Sequence, residues 1–197
     1  MIRPKYDWHV MVPGIIDDED IFKHILLNRG IDDADHFFSM GEESLHDPWL
    51  LSGMREAVER IMSGIKRGEK LLIYGDYDCD GISAIAVLFR TLTSLGAKVD
   101  FDLPDRFQDG YGLNLRAVQK IIDDKYDLVI TVDNGITAID EVKRLNDAGI
   151  DTIITDHHED KGILPEAYAI IHAKHSPLYP FKDIAGVMTA YKLASAL

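Results

Sequence analysis

From residue 70 onward, strand-length segments alternate with amphipathic ones. "KLLIYG" is a continuous apolar run, the mark of a strand buried on both faces, and "DLVITVD" and "DTIITD" read as strands. "KVDFDLP" and "YAIIH" read as two further strands. Between them, "ISAIAVLFRTLTSLG" reads as a helix ending at Gly96, and "NLRAVQKIIDDK" as a helix capped by Asn114. "AIDEVKRLNDAG" reads as a helix ending at Gly149, and "IAGVMTAYKLASAL" as a terminal helix. Ahead of the first strand, "MREAVERIMSGIKRG" places Met54, Val58, Ile61, Met62 and Ile65 at helical spacing, closed by Gly68. Strands alternating with helices predict an α/β fold, a three-layer parallel sheet with helices on both faces.

The segment before residue 54 is different. "DDEDIFKHILLNRGI" predicts a short helix stopped near Gly30, "DDADHFFS" a helical turn, and "SLHDPWLLSG" a loop punctuated by Pro48 and Gly53. Two parts are therefore expected: a helical extension over 1–53 packed on the core, and a main domain over 54–197.

In open α/β sheets, ligands bind outside the carboxyl ends of the strands. Asp76, Asp78 and Asp80 follow the first strand, Asp133 ends the third, and Asp156, His157 and His158 follow the fourth. Each has an ordinary alternative. An Asp after a strand is commonly a helix cap or an Asx turn, Asn134-Gly135 is itself a turn signal, and two histidines between acids can form a solvated loop. Three strand ends converging on acids and imidazoles point instead to a divalent-metal site. Carboxylate oxygens with one or two imidazoles suit manganese or magnesium. So many carboxylates suggest two ions about 3.5–4 Å apart, bridged by one Asp.

Composition changes this picture in one respect. The chain has 197 residues, 46% of them hydrophobic, enough for a proper core. With 21 basic and 34 acidic residues its formal charge is −13, which alone argues against a nucleic-acid partner. Cations bound at an acidic cluster would reverse that argument locally. No apolar run approaches the about 20 residues needed to span a bilayer. The N-terminus lacks the apolar stretch of a signal peptide, and one cysteine excludes an internal disulfide framework, so the cytoplasm is the expected compartment. Cys79 itself reads as a small buried filler. "GIKRGEK" precedes a strand and lacks the Gly-Lys-Ser/Thr of a phosphate-binding loop; there is no GxGxxG and no Gly-x-Ser-x-Gly elbow. "PDRFQDGYGLN" reads either as a connecting loop or as a cleft wall, where Arg106 meets phosphate and an aromatic ring stacks on a base.

"YGDYDCDG", "VDNGI" and "TDHHE", in this order, resemble the motifs of the DHH phosphoesterases. "ILLNRGI", "LHDPWLL", "PDRFQDGYGLN", "LPEAYAIIHAKH" and "YPFKDIAGV" further resemble the N-terminal catalytic region of the RecJ family, 5′→3′ exonucleases specific for single-stranded DNA. The resemblance runs from about residue 20 to Leu197 and makes 54–197 a DHH-type catalytic domain. It implies metal-dependent phosphodiester hydrolysis in DNA repair and recombination, with two Mn2+ or Mg2+ ions, and single-stranded DNA but no membrane as partner. It implies Asp78 and Asp80 as metal ligands with Asp76 beside them, Asp133 as the bridging carboxylate and His157 as a ligand. His158 would contact the scissile phosphate or assist the leaving group, Asp156 would orient the histidine pair, and Arg106 and Tyr111 would face substrate. Tyr74 stands where several other DHH phosphoesterases carry a ligating His. The chain departs from the family at Cys79, usually a small apolar residue, and at Met188-Thr189, usually Gly-Val. The family also carries a fourth-motif Asp, a second core domain and an OB-type DNA-binding domain beyond the matched region. The natural chain is therefore expected to continue past Leu197, with those domains, and a single-strand-binding protein or helicase, as partners. Two other readings stay open: a DHH enzyme acting on short oligonucleotides, cyclic dinucleotides or other small phosphates, and an interaction module that has lost catalysis.

Overall fold

The computed structural model describes residues 18–39, 41, 44–105 and 110–197, and the chain divides into two compact units, 1–45 and 46–197. In the first, α1 (Asp18–Leu27) ends near Gly30, which has a φ of +72°, and α2 (Ala34–Phe38) begins at Asp33, whose carboxylate accepts the His36 N–H at 2.8 Å. Phe22 stacks on Phe38 with centroids 5.4 Å apart.

The second unit holds a five-stranded, all-parallel sheet. Its elements run α3 (Met54–Arg67), β1 (Lys70–Tyr74), α4 (Cys79–Ser94), β2 (Lys98–Asp102), α5 (Leu115–Asp123), β3 (Leu128–Val132), α6 (Ile139–Asp147), β4 (Asp151–Thr155), β5 (Ala169–Ile171) and α7 (Gly186–Ala196). The loop before α3 carries a short 3-10 turn, Pro48–Leu50, capped by the Asp47 carboxylate on the Trp49 N–H. The strand order is β2-β1-β3-β4-β5, so the direction of winding reverses between β1 and β3. Alternate residues of each strand face opposite sides, which explains why the runs are apolar throughout. Leu71, Ile73, Leu128, Ile130 and Ile153 pack under α3, α4 and α7, while Leu72, Tyr74, Val129 and Ile154 pack under α5 and α6. β2 is an edge strand and leaves Phe101 exposed, in edge-on contact with Phe89. Among the described residues, no helix is long and apolar enough to cross a membrane.

Two expectations need correction. In α3 the buried stripe runs through Met54, Ala57, Arg60, Ile61 and Gly64, while Met62 is exposed. The helix is turned toward Arg60, a charged residue outside the apolar pattern of Met54, Val58, Ile61, Met62 and Ile65. Cys79 is exposed, not buried. The inward face of α4 is Gly81, Ala84, Ile85, Leu88 and Leu92, and two residues before Gly81 the helix points the other way.

Arg60 is inside for an electrostatic reason. Its Nη1 donates to Glu69 Oε2 at 2.6 Å and its Nε to Asp151 Oδ2 at 2.6 Å, joining α3 to the amino ends of β1 and β4. The fork of the guanidinium meets two carboxylates at once. Arg60→Ala leaves Glu69 with the more exposed Arg67, 2.6 Å away, as its remaining cation, and should cost about 1–3 kcal/mol, less than a fully buried pair because Arg67 stays and Asp151 reaches solvent. Urea unfolding should register that loss, while manganese affinity, measured on the folded variant, should stay within twofold of wild type. A loss below about 0.5 kcal/mol would mean that the pair behaves like a surface salt bridge.

Candidate metal centre

The register of the sheet aligns the acids. Tyr74 of β1 pairs with Thr131 of β3, and Asp76 and Asp133 each lie two residues further on. Val132 of β3 pairs with Thr155 of β4, and Asp133 and Asp156 each lie one further on. Asp76, Asp133 and Asp156 therefore form a row across three adjacent strand ends, flanking the point where winding reverses. Each is about 1% exposed.

The three are held differently. Asp156 accepts the His157 N–H at 2.7 Å and the His158 N–H at 3.2 Å on Oδ1, and the Ile136 N–H at 3.0 Å on Oδ2. His158 Nδ1 lies 2.8 Å from the same Oδ1. Burial works against the charge of Asp156, but these donors, His158 first, bring its pKa below the usual carboxylate range. The same hydrogen bond from Asp156 raises the pKa of His158. Asp133 has no such support. Its φ is +59°, a left-handed backbone uncommon outside glycine, with a cost of order 1 kcal/mol or more. Its Oδ1 is buried and accepts no hydrogen bond; His157 Nε2 stands 3.1 Å away in an orientation that makes none. Burial, then Asp80 and Asp78, push the Asp133 pKa up to about 7. Asp76 Oδ1 is likewise buried and unpartnered, and burial, with Asp78 and Asp156 nearby, raises its pKa.

Two carboxylate oxygens buried without a donor, in one cluster, fit a cation. The donor set agrees. Asp76, Asp78 and Asp133 bring ligand atoms within 4.8 Å of one another, and so do Asp133, His157 and His158. Asp133 belongs to both groups. Carboxylate oxygens with imidazole nitrogens are the chemistry of manganese and magnesium.

The remaining predicted residues fall around this cluster. Asp78 caps α4, accepting the Gly81 N–H at 3.0 Å. Asp80 accepts the Gly186 N–H at 2.8 Å and the Val187 N–H at 2.6 Å, so it caps α7, while its Oδ2 lies 3.6 Å from His157 Nε2. Tyr111 reaches the cluster through its hydroxyl, 3.0 Å from the Asp133 carbonyl and 2.9 Å from His158 Nδ1. Tyr74 points away, its hydroxyl directed at the Gly112 carbonyl at 3.4 Å. Arg106 lies outside the described residues.

Two residues at the centre escaped the sequence reading. Buried Asn134 donates from Nδ2 to the Val132 carbonyl at 3.0 Å and the Tyr74 carbonyl at 3.3 Å, tying β1 to β3. Buried His172 lies just past β5, and its Nε2 meets the His158 carbonyl at 2.8 Å. The strand-end rule applied to "YAIIH" would have found it; Asn134 sat hidden inside its turn signal.

The DHH family model, described as its N-terminal domain, matches residues 70–196. The chain belongs to the DHH family. The DHH match spans all five strands and the acid row. The chain is 42% identical to the single-stranded-DNA-specific exonuclease RecJ of Bacillus subtilis strain 168, an alignment covering 100% of this chain and 27% of that protein. It is also similar to a crystal structure of exonuclease RecJ bound to manganese, with TM-score 0.70, 34% identity, and coverage of 75% of this chain and 37% of that one. A RecJ structure from Thermus thermophilus in complex with Mn2+ superposes with TM-score 0.72 at 29% identity, covering 87% of this chain and 24% of that one. The chain thus spans about a quarter to a third of the curated relatives it matches, 27% and 31% of the first two.

Two outcomes follow from this geometry. A carboxyl whose folded pKa is raised favours folding fully below its unfolded pKa and loses that contribution as pH rises through the folded value. For Asp133 the window runs from about 4 to about 7, so its contribution to metal-free stability falls across it. Manganese displaces the same proton, so its affinity should climb over that window and level off above it; calorimetric affinities unchanged from pH 5 to 8 would refute this. The second outcome concerns Gly186, where an added Cβ would stand 2.3 Å from Asp133 Oδ1. Gly186→Ala should weaken manganese binding about tenfold or more and also lower the melting temperature of the metal-free chain by a few degrees, because the new methyl stands 2.8 Å from Asp133 Cβ, which cannot swing away with the carboxylate. Wild-type affinity in that variant would show that the carboxylate can move freely.

Proposed function

We propose that this chain is the metal-binding catalytic part of a 5′→3′ exonuclease that hydrolyses single-stranded DNA, acting in repair and recombination in the cytoplasm. The observation that carries the reading is that Asp133, buried and left without a hydrogen-bond donor on Oδ1, belongs to both candidate ligand groups. A carboxylate shared between two ions occupies such a position. The manganese-bound RecJ neighbours and the RecJ relatives support the same reading.

Asp76, Asp78, Asp80, Asp133 and His157 would hold two Mn2+ or Mg2+ ions. Bound there, the ions supply charge that neutralises a phosphoryl group and lowers the pKa of attacking water. Asp156 orients the histidine pair by accepting both backbone N–H groups and facing the His158 ring. His158, raised in pKa by Asp156, carries a proton toward the leaving oxygen. Arg106, Tyr111 and His158 meet the strand. Residues 54–197 form the catalytic domain and 1–53 a helical extension. The remaining RecJ-type domains, and a single-strand-binding protein or a helicase, are the partners this reading calls for.

Roles separate by mutation. In the full natural chain, Asp133→Ala should abolish both manganese binding and release of mononucleotides from 5′-phosphorylated single strands. Asp76→Ala should weaken both less. His158→Ala should bind manganese within about threefold of wild type and turn over 10²–10⁴ times more slowly, in line with loss of an acid–base group. If His158→Ala abolishes binding while Asp133→Ala preserves it, the assignment is reversed. Cleavage of dinucleotides with no degradation of long strands would move the activity to small phosphates.

A further inference from the structure

We infer that the hydroxyl of Tyr111, apart from any contact its ring makes with substrate, is a positioning element of the metal centre that fixes the Asp133 peptide against the His158 ring. The inference rests on the reading of the centre just given.

The hydroxyl reaches two partners at once. A carbonyl only accepts, so at the Asp133 carbonyl, 3.0 Å away, the Tyr111 O–H donates. The same oxygen lies 2.9 Å from His158 Nδ1 and 3.1 Å from Nε2, and the two rings meet edge-on at 5.4 Å and 74°. The bond to Asp133 falls where backbone support is most needed. Asp133 follows the last residue of β3 and holds a left-handed φ of +59°. Such a conformation persists only where its surroundings over-determine it. The Asp133 N–H is fixed to the Thr155 carbonyl at 2.9 Å. Its carbonyl is fixed by Tyr111. Together they determine where the orphaned carboxylate points.

The loop is built to deliver that hydroxyl. Gly110 and Gly112 flank Tyr111 with φ of +75° and +76°, conformations that favour glycine, and these turn the chain on either side of the tyrosine. Past them the loop is anchored twice. The Tyr74 hydroxyl donates to the Gly112 carbonyl at 3.4 Å, and the Asn114 side chain caps α5 on the Ala117 N–H at 2.9 Å. The tyrosine is about half exposed, at 51%. Its tip faces the acids while part of the ring remains open to solvent. The two glycine turns of "GYG" thus set the tyrosine between them, with its hydroxyl and its exposed ring surface in different surroundings.

Tyr111→Phe separates them, because it removes the hydroxyl and keeps the ring. Manganese titration of the chain by calorimetry should show affinity about tenfold weaker, in the range seen when groups that orient metal ligands are lost. Thermal unfolding without metal should stay within about 2 °C of wild type, since a half-exposed ring is conserved. In the full natural chain, kcat on 5′-phosphorylated single-stranded DNA should fall about tenfold or more with KM within twofold. Tyr111→Leu, which removes the ring as well, should show the same loss of metal affinity. Wild-type manganese affinity and kcat in Tyr111→Phe would overturn the inference. A raised KM with unchanged kcat and unchanged metal affinity would overturn it too, leaving Tyr111 as a substrate contact. If the wild-type chain binds no manganese, the reading of the centre fails and this inference with it; if wild type binds and Tyr111→Phe binds equally, the inference fails alone.

Discussion

Charges buried side by side in a low-dielectric interior repel far more strongly than in water. Asp76, Asp133 and Asp156 lie in one row across β1, β3 and β4, each about 1% exposed. The rest of the second unit can be understood from how that row is tolerated. Asp156 is satisfied internally by backbone N–H groups and a histidine. Asp133 and Asp76 are not, and each keeps an oxygen without a donor. One residue type thus acquires two kinds of chemistry from its surroundings: a fixed anion that organises histidines, and a pair of anions that wait for a cation. A hydrophobic sheet supplies the rigidity to keep the second kind from relaxing apart. Its inner strands β1, β3 and β4 are packed on both faces, and the ends of β1 and β3 are tied together by Asn134.

The outer acids serve the same arrangement by a different route. Asp78 and Asp80 straddle the first turn of α4, and each spends part of its hydrogen-bonding capacity on a helix N-terminus, where the dipole favours negative charge. Their charge is therefore partly offset by backbone dipoles before any ion binds. At Asp133 burial, with Asp80 and Asp78 close by, raises the pKa, so this carboxylate has the most to gain from a metal.

Much of this was legible in the sequence because the signals are local. An apolar run marked β1, strand–helix alternation marked β3 and β4, Asn114 marked the start of α5, and acids just past strand ends marked the cluster. What stayed hidden depends on pairings that leave no local trace. The strand order, with its reversal between β1 and β3, follows from packing alone. Arg60 is buried because Glu69 and Asp151 arrive from two other elements, so the apolar spacing of α3 gave no sign of it. Cys79 was assigned to the interior from residue type, whereas its position at the first turn of α4 decides its exposure. The double role of Asp80 required knowing that a segment 106 residues later folds back onto it.

That last contact bears on how the molecule is made. A protein chain emerges from its amino end and begins to fold as it does so. Asp76, Asp78 and Asp80 appear early, yet the backbone N–H groups that donate to Asp80 belong to α7, and the Gly186 surface that closes against Asp133 arrives with them. Without that helix the acids after β1 would lack those donors, and Asp133 would lack the surface that closes against it. The acid cluster is therefore closed only where residues 106 positions apart meet, which makes it a property of the folded unit as a whole and not of the segment that carries its first three acids.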